Sequence, residues 1–113
     1  MKIFVSYSRR DNSPEKLLEI KRLTSKLGEP YIDDLHDHLD GHRGETVEKA
    51  LHEADSFVVV VTSNYLRTAW TRKEFELALK RGVPMLALKE DGTFIERSTE
   101  EWLAIKNQHL QAI

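Results

Sequence analysis

A three-layer α/β sandwich on a central parallel sheet is the fold class that this chain predicts, and three observations carry the prediction. Residues 57–61 read Phe-Val-Val-Val-Val, an apolar run with no polar face, which suits a strand covered on both sides. Short β-branched runs alternate along the chain with segments whose apolar residues recur at helical spacing. The boundaries carry their own punctuation, with Ser13-Pro14 at one helix start and Gly28 and Gly82 at two helix ends. Such alternation calls for right-handed crossovers and a doubly wound sheet, here in the order 2-1-3-4 with residues 57–61 in its interior.

Residues 3–5 make the first strand. Ser13 as N-cap and Pro14 at the first helical position open a helix in which Leu17, Ile20, Thr24 and Leu27 share a face, and Gly28 stops it. Tyr31 and Ile32 form a short second strand. After Gly44, helical spacing returns in Val47, Ala50, Leu51 and Ala54, and the third strand follows at 57–61. The third helix starts near Ala69 and ends at Gly82, with Pro84 unable to continue it; residues 83–88 are the fourth strand. A final helix over about 99–111 turns Trp102, Leu103, Ile105 and Leu110 inward. Residues 93–95 leave open whether an extra edge strand exists. The expected core is Ile3, Val5, Leu17, Ile20, Leu27, Ile32, Val58, Val60, Phe75, Leu79, Leu86 and Leu88.

With 113 residues the chain fits a single domain, 1–113, with one modest core. An apolar fraction of 40% and a net charge of −2 read as globular and soluble, with no field to steer nucleic acid. The absence of cysteine excludes disulfides, thiolate zinc sites and a thiol nucleophile. The first residues lack the apolar stretch of a secretion signal, and 57–61 is too short to cross a bilayer. The expectation is a cytoplasmic protein with neither membrane nor nucleic acid as partner.

Open sheets of this kind bind ligands beyond the carboxyl ends of their strands. The residues that follow the strands are Ser6, Tyr7, Ser8, Arg9, Arg10 and Asp11 after the first, Asp33 and Asp34 after the second, and Thr62, Ser63, Asn64 and Tyr65 after the third. Hydroxyls, guanidinium groups and carboxylates together suit a ribose and a phosphate, although loop hydroxyls such as Ser6 and Ser8 also cap turns. No glycine-rich phosphate fingerprint accompanies the first strand, which argues against a Rossmann dehydrogenase or a P-loop enzyme.

Glu74 is the residue that needs explaining. At about 100° per residue, a helical projection places it within the apolar arc of Trp70, Leu77, Ala78 and Phe75, while Lys73, Glu76 and Lys80 take the opposite face. A carboxylate there caps, pairs or performs chemistry, because charge is seldom buried without a partner. Thr71 and Glu74 have the spacing of a capping box, so satisfying a backbone N–H is the plainer alternative. The stretch 33–44, DDLHDHLDGHRG, invites a metal through His36, His38 and His42 with Asp33, Asp37 or Asp40. No established ligand spacing occurs, and a solvated loop is the expectation.

IFVSYSRRD, followed by PYIDD and the 39–44 connection, resembles the opening boxes of the Toll/interleukin-1 receptor (TIR) domain family. ALHEADSFVVVVTSNYLRTAWTRKEFELAL resembles its central signature, in which a Ser-x-x-Tyr segment leads to Trp and, four residues on, Glu. The resemblance spans residues 2–88; after Trp70, where the family often has Cys, stands Thr71. It implies a flavodoxin-like topology and, in the compact bacterial or phage members, cleavage of NAD as substrate with no cofactor and no metal. It implies Glu74 as catalytic carboxylate, Trp70 packed beneath the site, and Tyr7, Ser8, Arg9 and Arg10 near the nicotinamide ribose; Asp33, Ser63 and Asn64, from the other strand ends, complete the expected substrate-binding set. It further implies homo-oligomers through the BB-like loop, with Asp34, His36, Leu39, Gly41, Arg43 and Gly44, and a separate sensor or effector protein in antiviral signalling. Two alternatives stand beside that hydrolase or cyclase reading: a non-enzymatic interaction or scaffold module, and an enzyme like the nucleoside 2-deoxyribosyltransferases, which also use a glutamate at a ribosyl carbon.

Overall fold

In the computed structural model, which describes residues 1–35, 43–67 and 69–111, the sheet has five strands in the order β2-β1-β3-β4-β5. Strands β1 (Lys2–Ser6), β2 (Glu29–Tyr31), β3 (Ser56–Val60) and β4 (Met85–Leu88) are parallel, and β5 (Phe94–Glu96) is antiparallel to β4. The helices are α1 (Pro14–Thr24), α2 (Arg43–Glu53), α3 (Ala69–Arg81) and α4 (Thr99–Gln111). Of Arg43, Ala69, Trp70 and residues 108–111 the backbone alone is described. The predicted interior position of the apolar run and the order 2-1-3-4 hold, and the fold is the flavodoxin-like α/β arrangement.

The two-residue period of each strand explains the missing polar face. Phe4, Phe57, Val59, Met85 and Ala87 point to one side, where they pack with Val47 and Leu51 of α2, Phe75 and Ala78 of α3 and Trp102 of α4. Ile3, Val5, Val58, Val60 and Leu88 point to the other, against Leu17 and Ile20 of α1. Both faces of β3 are therefore dry, and a strand with two dry faces cannot alternate in polarity. On the α3 side Phe75 meets Tyr65 and Trp102 edge-on, at centroid distances of 6.4 and 5.7 Å.

Ser13 caps α1 as expected, its hydroxyl oxygen accepting from the Lys16 N–H at 3.3 Å. That helix ends at Thr24, earlier than the apolar spacing suggests, and the chain turns through residues 25–28 on N–H bonds from Leu27 and Gly28 to the Thr24 carbonyl. Leu27 consequently leaves the apolar face and is 39% exposed, a correction to the expected core, whereas Leu79 and Leu86 are half-buried against it. Gly28 sits where a Cβ would stand 2.6 Å from the Met1 carbonyl oxygen, so close approach to β1 demands glycine there. Gly82, at φ 69°, closes α3 in the left-handed conformation.

The open question of a further strand is settled by β5. It returns antiparallel because the 89–93 turn is too short for a crossover, with Lys89 N–H bonded to the Thr93 carbonyl at 2.9 Å and Gly92 at φ 86°. In α4, Trp102 is 2% exposed and Ile105 half-buried, but Leu103 is 42% exposed. Trp102 and Ile105 lie about 60° apart on the helix, while Leu103 falls about 100° beyond Trp102, outside the arc that faces the sheet. The expectation that Leu103 packs inward is thus corrected; the Leu110 side chain lies outside the described residues.

Candidate active site

A crevice of about 490 Å³ opens at the carboxyl end of β1, within the usual range for a small-molecule site. Its floor is Phe4, Val5 and Val47. Tyr7, Ser8, Arg9 and Arg10 come from the end of β1 and the turn behind it, Asp33 from the turn after β2, Gly44 from the start of α2, and Thr71 and Glu74 from α3. Parallel strands bring these segments together because each crossover returns the chain to the same edge of the sheet.

Glu74 lies on the buried stripe of α3 with Thr71, Phe75 and Ala78, while Lys73, Glu76 and Lys80 are exposed. It is 5% exposed and still borders the crevice. Its Oε1 accepts a 2.8 Å hydrogen bond from the Ser6 hydroxyl, and Ser6 Oγ in turn accepts from the Tyr65 hydroxyl at 2.5 Å. Burial holds the Tyr65 phenol well above its ordinary value, the Ser6 hydrogen bond opposing it in part and the Glu74 charge adding to it, so it remains a donor. Because α3 already begins at Ala69, Thr71 stands inside the helix rather than at its N-cap, and its hydroxyl donates to the Tyr65 carbonyl.

A second network closes the rim. The Tyr7 hydroxyl donates to Asp34 Oδ2 at 2.5 Å and accepts from the Asp34 N–H at 2.9 Å. Arg9 spans both aspartates, with Nη2 at 3.1 Å from Asp33 Oδ2 and 2.8 Å from Asp34 Oδ1. Burial, then the bond to Asp34, pushes the Tyr7 phenol above its usual range; burial, then Asp33, does the same to Tyr31. Arg10 lies exposed on the same rim, and the Ser8 hydroxyl is buried without a hydrogen bond among the described residues.

The family model of the TIR domain matches residues 3–111. The chain belongs to the TIR domain family. The match runs well past residue 88, where resemblance to the signature boxes ends, and takes in β5 and α4. No curated protein matches the chain.

Within this TIR domain, Glu74, Tyr7, Ser8, Arg9, Arg10 and Asp33 share the crevice. Ser63 and Asn64 stand elsewhere. Ser63 borders a separate cavity of about 540 Å³ on the α1 side, and Asn64 bonds to Asp11 through its N–H and side-chain amide, at 2.8 and 2.6 Å. The neighbouring Thr62 hydroxyl and then Asn64 hold the Asp11 carboxyl below the usual range. Asp34 is exposed and engaged with Tyr7 and Arg9, and Gly44 lies in the first turn of α2 on the crevice wall. His36, Leu39 and Gly41, the Trp70 and Arg43 side chains, and the His38, His42, Asp37 and Asp40 set lie outside the described residues. Among the described residues no cluster of His, Asp and Glu could hold a metal ion, and no helix is long and apolar enough to cross a membrane. Sequence reasoning missed the pairing of Tyr65 and Ser6 with Glu74. The available signal was Ser6's place two residues after Phe4, on the face that α3 covers.

Proposed function

We propose that this TIR domain cleaves the nicotinamide–ribose bond of NAD, as a glycohydrolase or cyclase, with Glu74 as the catalytic carboxylate. The observation that carries the reading is a carboxylate 5% exposed on a helix face, bordering a nucleotide-sized crevice at the carboxyl end of a parallel sheet. As the C–N bond breaks, its electron pair leaves with nicotinamide and positive charge develops at the ribosyl carbon. A fixed carboxylate offsets that charge and accepts from ribose hydroxyls. N-alkylated nicotinamide departs neutral, so no general acid is needed. Water at the ribosyl carbon yields ADP-ribose and a proton; an adenine nitrogen yields a cyclic isomer. Arg10 and the Ser8 hydroxyl face the phosphates and ribose, while Arg9, already spanning Asp33 and Asp34, orients the rim. Trp70 shapes the pocket, and self-association through segment 33–44 covers the exposed part of the dinucleotide. The product serves a separate effector protein as a signal.

Incubating concentrated wild-type and Glu74→Gln protein with NAD, its phosphorylated form and deoxynucleosides tests this. Wild type should release nicotinamide, at a rate per protomer that rises with protein concentration, and Glu74→Gln should lose about 10² to 10³ in rate. Free base from a deoxynucleoside would move the assignment to the transferase class. Equal rates in both proteins would remove Glu74 from the chemistry. One observation favours the interaction-module reading: Tyr7, Arg9, Asp33 and Asp34 are bonded to one another across the rim, so their polar groups are engaged within the domain. Silence on every substrate from an assembled protein is the result that reading expects.

A further inference from the structure

We infer that Ser6 and Tyr65 form a buried positioning relay that sets the orientation of the Glu74 carboxylate. The inference rests on the reading of Glu74 as the reacting group and adds two residues to it. Three elements meet at this point: Ser6 is the last residue of β1, Tyr65 lies in the 3-10 turn after β3, and Glu74 lies in the second turn of α3. All three side chains are buried, Ser6 completely. The register fixes their meeting, since Ser6 pairs with Val59 in the neighbouring strand and Phe75, next to Glu74, packs edge-on against the Tyr65 ring.

The proton direction follows from the chemistry of the groups. The Tyr65 phenol stays protonated in its dry site and has Ser6 Oγ 2.5 Å away. A serine hydroxyl has one proton; having accepted from Tyr65, it spends its own on Glu74 Oε1 at 2.8 Å. Donation into a hydroxyl strengthens the bond that hydroxyl makes onward, so the carboxylate is held more firmly than by an isolated serine. Fixing Oε1 removes rotation about the carboxylate axis and so defines where Oε2 lies against a ribosyl carbon, the kind of preorganisation on which electrostatic catalysis depends. Tyr65 does not itself line the crevice, and its hydroxyl reaches the Glu74 carboxylate through Ser6.

The experiment compares wild type, Ser6→Ala, Tyr65→Phe, the double variant and Glu74→Gln. Ser6→Ala alone strands a buried phenol hydroxyl; the double variant removes both ends of that bond and guards against misfolding of the single one. For NAD cleavage, Ser6→Ala should lower kcat about tenfold with KM within about twofold, and Tyr65→Phe should lower kcat by a smaller factor. The double variant should match Ser6→Ala, because residues acting through one contact are not additive. Multiplicative losses, or losses confined to KM, would overturn the relay. An NMR readout needs no turnover. In tyrosine-labelled protein the Tyr65 hydroxyl proton should give a protected resonance that Ser6→Ala abolishes and Glu74→Gln shifts; a resonance indifferent to both substitutions would sink the inference. If wild type cleaves no NAD while the resonance responds as expected, the proposed reaction fails and the relay stands.

Discussion

Replacing Trp102 with alanine should lower the melting midpoint by roughly 12–20 °C, and replacing its neighbour Leu103 should hardly move it. The indole is 2% exposed, lies edge-on to Phe75 at 5.7 Å, and points Nε1–H at the Met85 carbonyl oxygen 3.4 Å away. Truncating a buried Trp costs about 3–5 kcal/mol, the aromatic contact included. Unfolding entropy near 2.1 cal/mol/K per residue, over 113 residues, comes to about 0.24 kcal/mol/K. Division gives the range above. Leu103 is 42% exposed, so Leu103→Ala should cost under about 1 kcal/mol, or less than about 4 °C. Trp102→Phe, which keeps a ring against Phe75 and loses the N–H donor, should fall between. Thermal melts followed by far-ultraviolet circular dichroism check all three. Comparable losses from Trp102→Ala and Leu103→Ala would mean that α4 turns a different face to the sheet, and would refute the packing from which the numbers come.

Gly28→Ala should destabilise the domain by about 1–3 kcal/mol in a urea titration, since the new Cβ would meet the backbone carbonyl of Met1 at 2.6 Å rather than a side chain that can swing away. Arg10→Ala should raise KM for NAD about tenfold if it supplies a charge-assisted phosphate contact, whereas Arg9→Ala, which breaks an exposed pair, should change stability by less than about 1 kcal/mol. Asp11→Asn probes pH: the folded Asp11 carboxyl titrates below its ordinary 3.8. Its stabilisation is therefore complete above that value and is lost as pH falls through the lower folded one. The small gap in urea midpoint between wild type and Asp11→Asn should be present at pH 6 and vanish at the acid end; a gap that widens on acidification would reverse the sign of this argument.

What was legible in the chain was whatever depends on a local period. Phe-Val-Val-Val-Val announces a strand with two dry faces because alternation has nothing polar to show, and residues 57–60 lie in the central strand β3, while Val61 falls past its end and is 42% exposed. Ser13-Pro14 and Gly82 mark the ends of α1 and α3 because caps and left-handed turns are decided by a few consecutive residues. Leu27 was misplaced because helical spacing continues in the sequence after the helix itself has stopped at Thr24, and periodicity records spacing rather than where hydrogen bonds end. Leu103 differs for a related reason: it adjoins Trp102 in sequence but stands about 100° round the helix from it, outside the arc that faces the sheet.

The candidate site divides along the same line. Glu74 stood out because a helical projection sets it among Trp70, Phe75, Leu77 and Ala78, and helical geometry alone puts a carboxylate among them. Its partner did not, because Ser6 is 68 residues away and meets it through a strand register that no local pattern encodes. Arg9 shows what composition leaves out. A guanidinium after the first strand has the chemistry to hold phosphate, yet two aspartates from the end of β2 occupy it, and only the parallel pairing of β1 with β2 brings them within reach. Composition at the strand ends thus specifies which chemical groups a crevice contains, while the crossovers decide which of those groups are already spent on one another. A residue's availability to a ligand is a property of the topology, and under the proposed NAD reading that consideration favours Arg10 over Arg9 as the phosphate contact.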